Sequence, residues 1–327
     1  MTKPRVFLSR RLPEPAMKIV EAACAVDLWD SAERPAPREA LLRGVAEADG
    51  LLSLITDRVD AELLDAAPRL RVVANMAVGY DNIDLAACTA RGVLVTNTPG
   101  VLTETTADLA WALMLAAARR IVEGQKLIEA GGWGPWHPMQ LVGVDVYGAT
   151  LGVVGAGRIG GAVLRRGRGF GMELRYHNRR PSPELEAETG ARYLPLDQLL
   201  RECDFVVVTV PLSAETRGMF GAAEFAMMKD TAVFVNVARG PVVREADLVE
   251  ALRPRRPRAA GIDVFEREPI GADHPLLALP NCVAVPHIGS ASVATRTRMA
   301  TLAAENLVAA LTGAPVPTPV NPEVLGR

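Results

Sequence analysis

Short apolar runs of strand length alternate, almost from one end of the chain to the other, with longer segments that mix apolar and polar residues at helical spacing. Continuous apolar runs predict strands buried on both faces, and the amphipathic stretches between them predict the crossover helices that join parallel strands. A first set of strands is expected at residues 5–8, 26–28, 51–54, 72–74 and 93–95, with helices such as 14–23 and 38–46 between them. A second set is expected at 151–154, 173–177, 205–209, 232–235, 259–262 and 283–285. One long helix, residues 105–129, bridges the two sets, and another, 292–311, follows the last strand. The fold class is therefore α/β, with two doubly wound parallel-sheet domains. The terminal helix packs most naturally back on the first domain, so that domain is discontinuous and the other is inserted into it.

The second set opens on TLGVVGAGRIGG, an apolar strand that runs into Gly155, Gly157 and Gly160 and then into a helical run. The first glycine allows a tight turn and the second lets the backbone approach a pyrophosphate. The third lets helix and strand pack closely, with the phosphates on the helix N-terminus. This order points to a dinucleotide-binding Rossmann domain. Strand 173–177 should then end at the adenosine ribose, where an acidic residue about 20 residues beyond the turn would bind the 2′-hydroxyl. Asn178, Arg179 and Arg180 stand there instead. A carboxylate would repel a 2′-phosphate and two guanidiniums would clamp one, so NADPH is the expected cofactor, with NADH weaker. A solvated basic turn is the competing reading of the two arginines.

In an open α/β sheet, ligands bind beyond the carboxyl ends of the strands. Arg239 follows strand 232–235, Glu268 follows 259–262, and His287 follows 283–285. Taken singly, these are an ion-pairing arginine, a surface carboxylate and a satisfied loop histidine. Together on successive strand ends they are what reversible hydride transfer to a 2-oxo acid requires. Arginine is a planar, always-charged, two-pronged donor for the substrate. Histidine exchanges the proton on the oxygen that becomes an alkoxide, and a carboxylate beside it holds its orientation and raises its pKa. Asp263, at the tip of strand 259–262, faces the nicotinamide carboxamide or caps the next turn. In the first domain, the Val78–Gly79 step of NMAVGYDNID can leave backbone amides free for a carboxylate. The alternative there is an ordinary strand-to-helix turn capped by Asp81. Trp133 and Trp136, in GGWGPWHP, sit in a Gly/Pro loop and are either interface residues or surface anchors.

A chain of 327 residues has room for about two domains. The formal charge of −2 and pI near 6.2 argue against nucleic acid or an anionic membrane as partner. The basic cluster at 253–258 is broken by two prolines and reads as a solvated loop. The four cysteines (Cys24, Cys88, Cys203, Cys282) form no CxxC pair, which suits reduced structural thiols and no metal site. No segment has the length of a signal peptide's apolar core or the roughly 18 apolar residues of a membrane helix, so a cytoplasmic enzyme is expected.

These features come together in a resemblance. The segments LLSLITDRVD, VGYDNIDLAACTARGV, TPGVLTETTADLAWALMLAAARR, GGW and GVVGAGRIGGAV are followed by TAVFVNVARGPVV, AAGIDVFEREP and HPLLALPNCVAVPHIGSA. In that order and spacing the chain resembles the D-isomer-specific 2-hydroxyacid dehydrogenase family, and within it the glyoxylate/hydroxypyruvate reductase branch. The resemblance implies a nucleotide domain at 102–290 inserted into a flavodoxin-like substrate domain at 1–101 and 291–327. It implies Arg239, Glu268 and His287 as catalytic residues, and Val78, Gly79, Arg239, His287 and Trp136 as substrate contacts. The cofactor contacts it implies are Thr106, Gly155, Gly157, Arg158, Ile159, Gly160, Asn178, Arg179, Arg180, Pro211, Val237, Asp263 and Gly289. Trp136 would reach the active site of a neighbouring subunit in a homodimer. The retained Glu268 disfavours the formate dehydrogenase branch, and Gln140 differs from forms with an aromatic residue there. The reaction so implied is NADPH-preferring reduction of glyoxylate to glycolate and of hydroxypyruvate to D-glycerate. The alternatives are a larger 2-oxo acid as substrate, or a dinucleotide-sensing regulatory protein.

Overall fold

All strand ladders in the computed structural model, which describes residues 3–326, are parallel, and they form two sheets in two separate units of the chain. The first unit runs to Leu102 and resumes at Ala291; the second is Thr103–Ser290. The first begins with β1 (Arg5–Leu8), α1 (Glu14–Ala23), β2 (Ala25–Leu28), α2 (Arg38–Val45) and β3 (Gly50–Ser53). It continues with α3 (Ala61–Ala66), β4 (Val72–Asn75), α4 (Leu85–Ala90) and β5 (Leu94–Thr96). The second contains α5 (Thr103–Ala118), α6 (Ile121–Glu129), β6 (Thr150–Val154), α7 (Arg158–Gly167), β7 (Glu173–His177) and α8 (Pro183–Thr189). Then come β8 (Arg192–Tyr193), α9 (Leu196–Glu202), β9 (Phe205–Val208), α10 (Ala222–Met227), β10 (Val233–Asn236), α11 (Glu245–Leu252), β11 (Ala259–Ile262) and β12 (Cys282–Ala284). The chain closes on α12 (Val293–Thr312), which belongs to the first unit.

In the first unit the sheet order is β2-β1-β3-β4-β5, and successive residues of each strand feed opposite faces. Val6, Leu8, Leu52, Val72, Ala74 and Leu94 pack under α1 and α12, whereas Phe7, Leu51, Val73 and Val95 pack with residues of α2, α3 and α4. Fully burying an aliphatic side chain of this kind contributes about 1.5–3 kcal/mol, so both faces must be covered and the strands read as unbroken apolar runs. Helix α12 starts at a Ser292 cap whose side chain accepts the Thr295 N–H at 3.1 Å.

The second unit repeats the plan on a sheet ordered β12-β11-β10-β9-β6-β7-β8. Leu151, Val153, Phe205, Val207, Val233 and Val235 face α5 and α7, and Val154, Val206, Val208, Phe234, Ala260 and Ile262 face α9, α10 and α11. Strand β6 lies between β9 and β7, so the connections leave it in opposite directions and open a crevice at its carboxyl end. This sheet has one strand more than expected, because Arg192–Tyr193 pairs with β7 as a two-residue edge too short to stand out as an apolar run.

The expected helix at 105–129 is two helices. Arg120 adopts φ 54°, in the left-handed region, and the Ala118 carbonyl accepts the N–H of Val144 at 3.0 Å. A returning loop thus takes a carbonyl that a continuous helix would have used, while Arg120 ion-pairs with Glu123. Both helices lie in the second unit. All four cysteines are free thiols, with Cys24, Cys88 and Cys203 buried and Cys282 half-buried. Desolvation raises all four, pushing Cys88, Cys203 and Cys282 up to about 12, which keeps them protonated. Among the described residues no group of side chains could hold a metal ion, and no helix is long and apolar enough to cross a membrane.

Candidate active site

The carboxyl ends of β10, β11 and β12 bring Arg239, Glu268 and His287 onto neighbouring loops of the second unit. The turn after β10 is tied to the strand by Asn236. Its Nδ2 donates to the Arg239 carbonyl at 3.2 Å and its Oδ1 accepts the Ala238 N–H at 3.0 Å. The half-buried Arg239 guanidinium donates to the Ala238 carbonyl at 2.9 Å. Gly240 follows, and a Cβ there would collide with the Phe265 carbonyl; only glycine lets the Arg239 turn lie flat on the loop after β11.

That second loop carries Glu268. One carboxylate oxygen accepts the Phe265 N–H at 3.0 Å, and the other lies 2.7 Å from Nδ1 of His287. Burial pushes Glu268 up. The hydrogen bond and charge of His287, the Phe265 N–H and the charge of Arg239 outweigh it and hold the carboxyl below its ordinary value. The carboxylate is therefore ionised beside the imidazole. His287 adopts φ 52°, an uncommon conformation for a side chain with a Cβ. Asp263 supports it: its carbonyl accepts the His287 N–H at 2.9 Å, and its carboxylate accepts the N–H groups of Ile288 at 2.6 Å and Gly289 at 3.0 Å. Asp263 is 1% exposed, and burial raises its pKa. The Asp263 carboxylate thus binds the histidine loop after β12 and not the turn that directly follows β11. Thr106 packs beside Gly289, so Thr106, Asp263 and Gly289 form one cluster next to the histidine loop.

The glycine turn stands at the carboxyl end of β6. Gly155 has φ 93° and donates to the His177 carbonyl at 2.9 Å, while its own carbonyl accepts Thr209 Oγ1 at 2.8 Å. A Cβ on Gly160 would lie 2.8 Å from the Gly155 carbonyl, so helix and turn touch through that glycine. Helix α7 starts at Gly157 with no side-chain cap, leaving the first-turn amides of Arg158, Ile159 and Gly160 for an external acceptor. This arrangement suits a pyrophosphate.

At the end of β7, Arg179 and Arg180 are exposed, and the Arg179 charge helps to lower the pKa of Glu215, after the Ser213 hydrogen bond to that carboxylate. The Asn178 side chain is not turned outward. It bridges the glycine turn, accepting the Ala156 N–H at 2.7 Å and donating to the Ala156 carbonyl at 3.3 Å. Tyr176 frames the same corner: its hydroxyl donates to Glu186 and accepts the Ser182 N–H, both at 2.7 Å. Pro211, exposed, and Val237, buried, lie just past β9 and β10.

Val78 and Gly79 belong to the first unit, in the turn after β4. The helix that follows is capped by Asp84, which accepts the Ala87 N–H at 2.9 Å, and not by Asp81. Trp136 is 78% exposed and joins no ring contact or hydrogen bond among the described residues, so the surface-anchor reading of this tryptophan does not hold within one chain. Asn236 and Thr209 went unnoticed in the sequence. Each is a polar residue closing an apolar strand, a signal that was present but common.

The profile of the D-isomer specific 2-hydroxyacid dehydrogenase NAD-binding domain matches residues 111–289. The glyoxylate reductase of Korarchaeum cryptofilum is 51% identical over 324 residues, covering 99% of this chain and 97% of that one. Among solved structures, a protein of Thermus thermophilus superposes with a TM-score of 0.90 at 45% identity, covering 97% of this chain and 99% of that one. The NADPH-dependent glyoxylate/hydroxypyruvate reductase of Sinorhizobium meliloti, solved with NADP and malonate, gives a TM-score of 0.84 at 33% identity, covering 98% and 97%. With a dinucleotide turn, an imidazole–carboxylate pair and relatives matched along almost its whole length, the chain belongs to the D-isomer specific 2-hydroxyacid dehydrogenase family and is an NAD(P)-dependent enzyme of it.

Proposed function

We propose that the enzyme reduces glyoxylate to glycolate and hydroxypyruvate to D-glycerate, with NADPH preferred over NADH. The observation that carries this reading is the His287–Glu268 pair, 2.7 Å apart, on the loops after β12 and β11, beside the β10 end that bears Arg239. Relatives named for glyoxylate reduction, at about half identity over nearly the full chain, support the substrate. The Sinorhizobium relative, whose name includes hydroxypyruvate and NADPH, supports the rest.

The amides of Val78 and Gly79 take the substrate carboxylate. Arg239 orients and polarises the 2-oxo group through its two-pronged cation. The glycine turn would hold the dinucleotide, with Thr106, Asp263, Gly289, Pro211 and Val237 as further contacts, and in its reduced form that group would supply the hydride for the carbonyl carbon. His287 delivers the proton to the oxygen that becomes an alkoxide, and takes it back in the reverse direction. Because Glu268 holds Nδ1, the proton leaves from Nε2. Glu268 stays ionised, fixes the ring and stabilises the imidazolium.

The NADPH preference follows from the exposed Arg179 and Arg180 at the end of β7, with no carboxylate at 178–180 to bind a 2′-hydroxyl or repel a 2′-phosphate. Homodimer formation is supported by an apolar surface on α6 and the loop beyond it. Helix α6 has no fully buried residue, and Ile121, Ile128, Trp133, Trp136 and Met139 on it and the loop beyond are each exposed. Trp136 would then serve the neighbouring subunit's substrate. Steady-state reduction of glyoxylate and hydroxypyruvate, each with NADPH and NADH, tests the proposal. Turnover with both acids and at least a tenfold NADPH advantage in kcat/KM is expected. An NADH preference would remove the arginine clamp, and no turnover would remove the substrates.

A further inference from the structure

Three successive carbonyls after β4 are each held by a donor from the body of the first unit. The Thr98 N–H donates to Ala77 O at 2.8 Å, Asn97 Nδ2 to Val78 O at 2.8 Å, and Asn75 Nδ2 to Gly79 O at 3.1 Å. In a planar trans peptide the carbonyl and the following N–H point in opposite directions. Holding these carbonyls inward therefore turns the N–H groups of Val78, Gly79 and Tyr80 away from their anchors. None of the three donates to an acceptor among the described residues, and residues 78–80 are half-buried or exposed.

The anchors are themselves fixed. Asn75 is fully buried; its Oδ1 accepts Ser53 Oγ at 3.2 Å, and its Nδ2 also reaches Asn82 Oδ1 at 3.3 Å. Asn82 in turn donates to the carbonyls of Leu54 at 3.1 Å and Asp57 at 2.9 Å. The Asn97 main-chain carbonyl accepts Thr318 Oγ1 at 2.6 Å, so the residue after β5 is tied to the returning C-terminal segment.

We propose that Asn75 and Asn97 are positioning residues that preset a three-amide anion site, formed by the N–H groups of Val78, Gly79 and Tyr80, for the substrate carboxylate. The inference rests on the reading that this turn binds the carboxylate of the 2-oxo acid. It adds the two side chains that make the turn a receptor, and a third donor, Tyr80. Successive N–H groups presented together bind anions, and donors fixed beforehand need no reorganisation when the ligand arrives.

The test compares glyoxylate with its uncharged methyl ester, using the same cofactor, in wild type, Asn97→Leu and Asn75→Ser. Asn97→Leu removes one anchor without adding charge; Asn97→Ala gives the same readout if the leucine variant does not fold. The expected result for folded variants is a KM for glyoxylate raised about tenfold, with kcat/KM for the ester within about twofold of wild type and cofactor affinity unchanged. A wild-type enzyme that prefers the acid, with variants that keep the same acid-to-ester ratio, would overturn the positioning role alone. A wild-type enzyme with no preference for the acid would remove the carboxylate reading, and the proposal with it.

Discussion

Nδ1 of His287 lies 2.7 Å from Oε2 of Glu268, and Oε1 of the same carboxylate accepts the Phe265 N–H at 3.0 Å. One side chain thus joins the imidazole to the loop after β11, against which the Arg239 turn is packed through Gly240. The spacing of the three groups is set by backbone contact between strand ends, and the ring is left with Nε2 for the substrate.

Replacing Glu268 by glutamine should lower kcat for reduction by on the order of 10²-fold or more, because the ring loses its orienting anion. The pH dependence follows from the depressed pKa of Glu268. In the wild type, the stability and activity due to the ionised carboxylate are fully present above its ordinary, unfolded value. They are lost as pH falls through the lower folded value. Glu268→Gln should lack that acid limb. Parallel kcat–pH profiles of the two enzymes check that difference.

Asp263 has the opposite sign. Its folded pKa is raised by burial, so its stabilising contribution is full below the ordinary carboxylate value and declines as pH rises through the raised one. An asparagine has no such decline. Asp263→Asn should therefore gain stability relative to wild type between acidic and neutral pH. It should also lose about tenfold in kcat, because an amide cannot accept both loop N–H groups as the carboxylate does. Thermal melts at two pH values, with kcat at neutral pH, test the two halves separately.

What could be read from the sequence is what is local. The strand–turn–helix around Gly155 to Gly160 follows from residue type and order, and so does the placement of Arg239, Glu268 and His287 just past three apolar runs. What could not be read depends on partners distant in the chain. The break at Arg120 is made by Val144, and the Asn178 side chain is claimed by Ala156. Gly240 is needed only because the Phe265 backbone passes over it. Asn75 and Asn97 show as polar ends of apolar strands, but their use as anchors of Val78 and Gly79 needs the folded turn.

Two of the three glycines of the cofactor turn should separate by function. A Cβ on Gly160 would press on the Gly155 carbonyl, Thr209 Oγ1 and Val153 Cγ1, each at 2.8 Å, so Gly160→Ala should cost about 1–3 kcal/mol of stability and weaken the cofactor. A Cβ on Gly157 meets no heavy atom within 4 Å. Gly157→Ala should keep the melting temperature within a few degrees and lose cofactor affinity alone. Melting curves with nucleotide titrations by fluorescence would show the split.

The central claim is that His287, set by Glu268, carries the proton of the reduction. Its most direct test is kcat/KM for glyoxylate in His287→Gln beside wild type, with the NADPH dissociation constant measured on the same preparations. A loss of about 10³-fold or more, with cofactor affinity within about twofold, is the predicted result. Turnover within tenfold of wild type would contradict it.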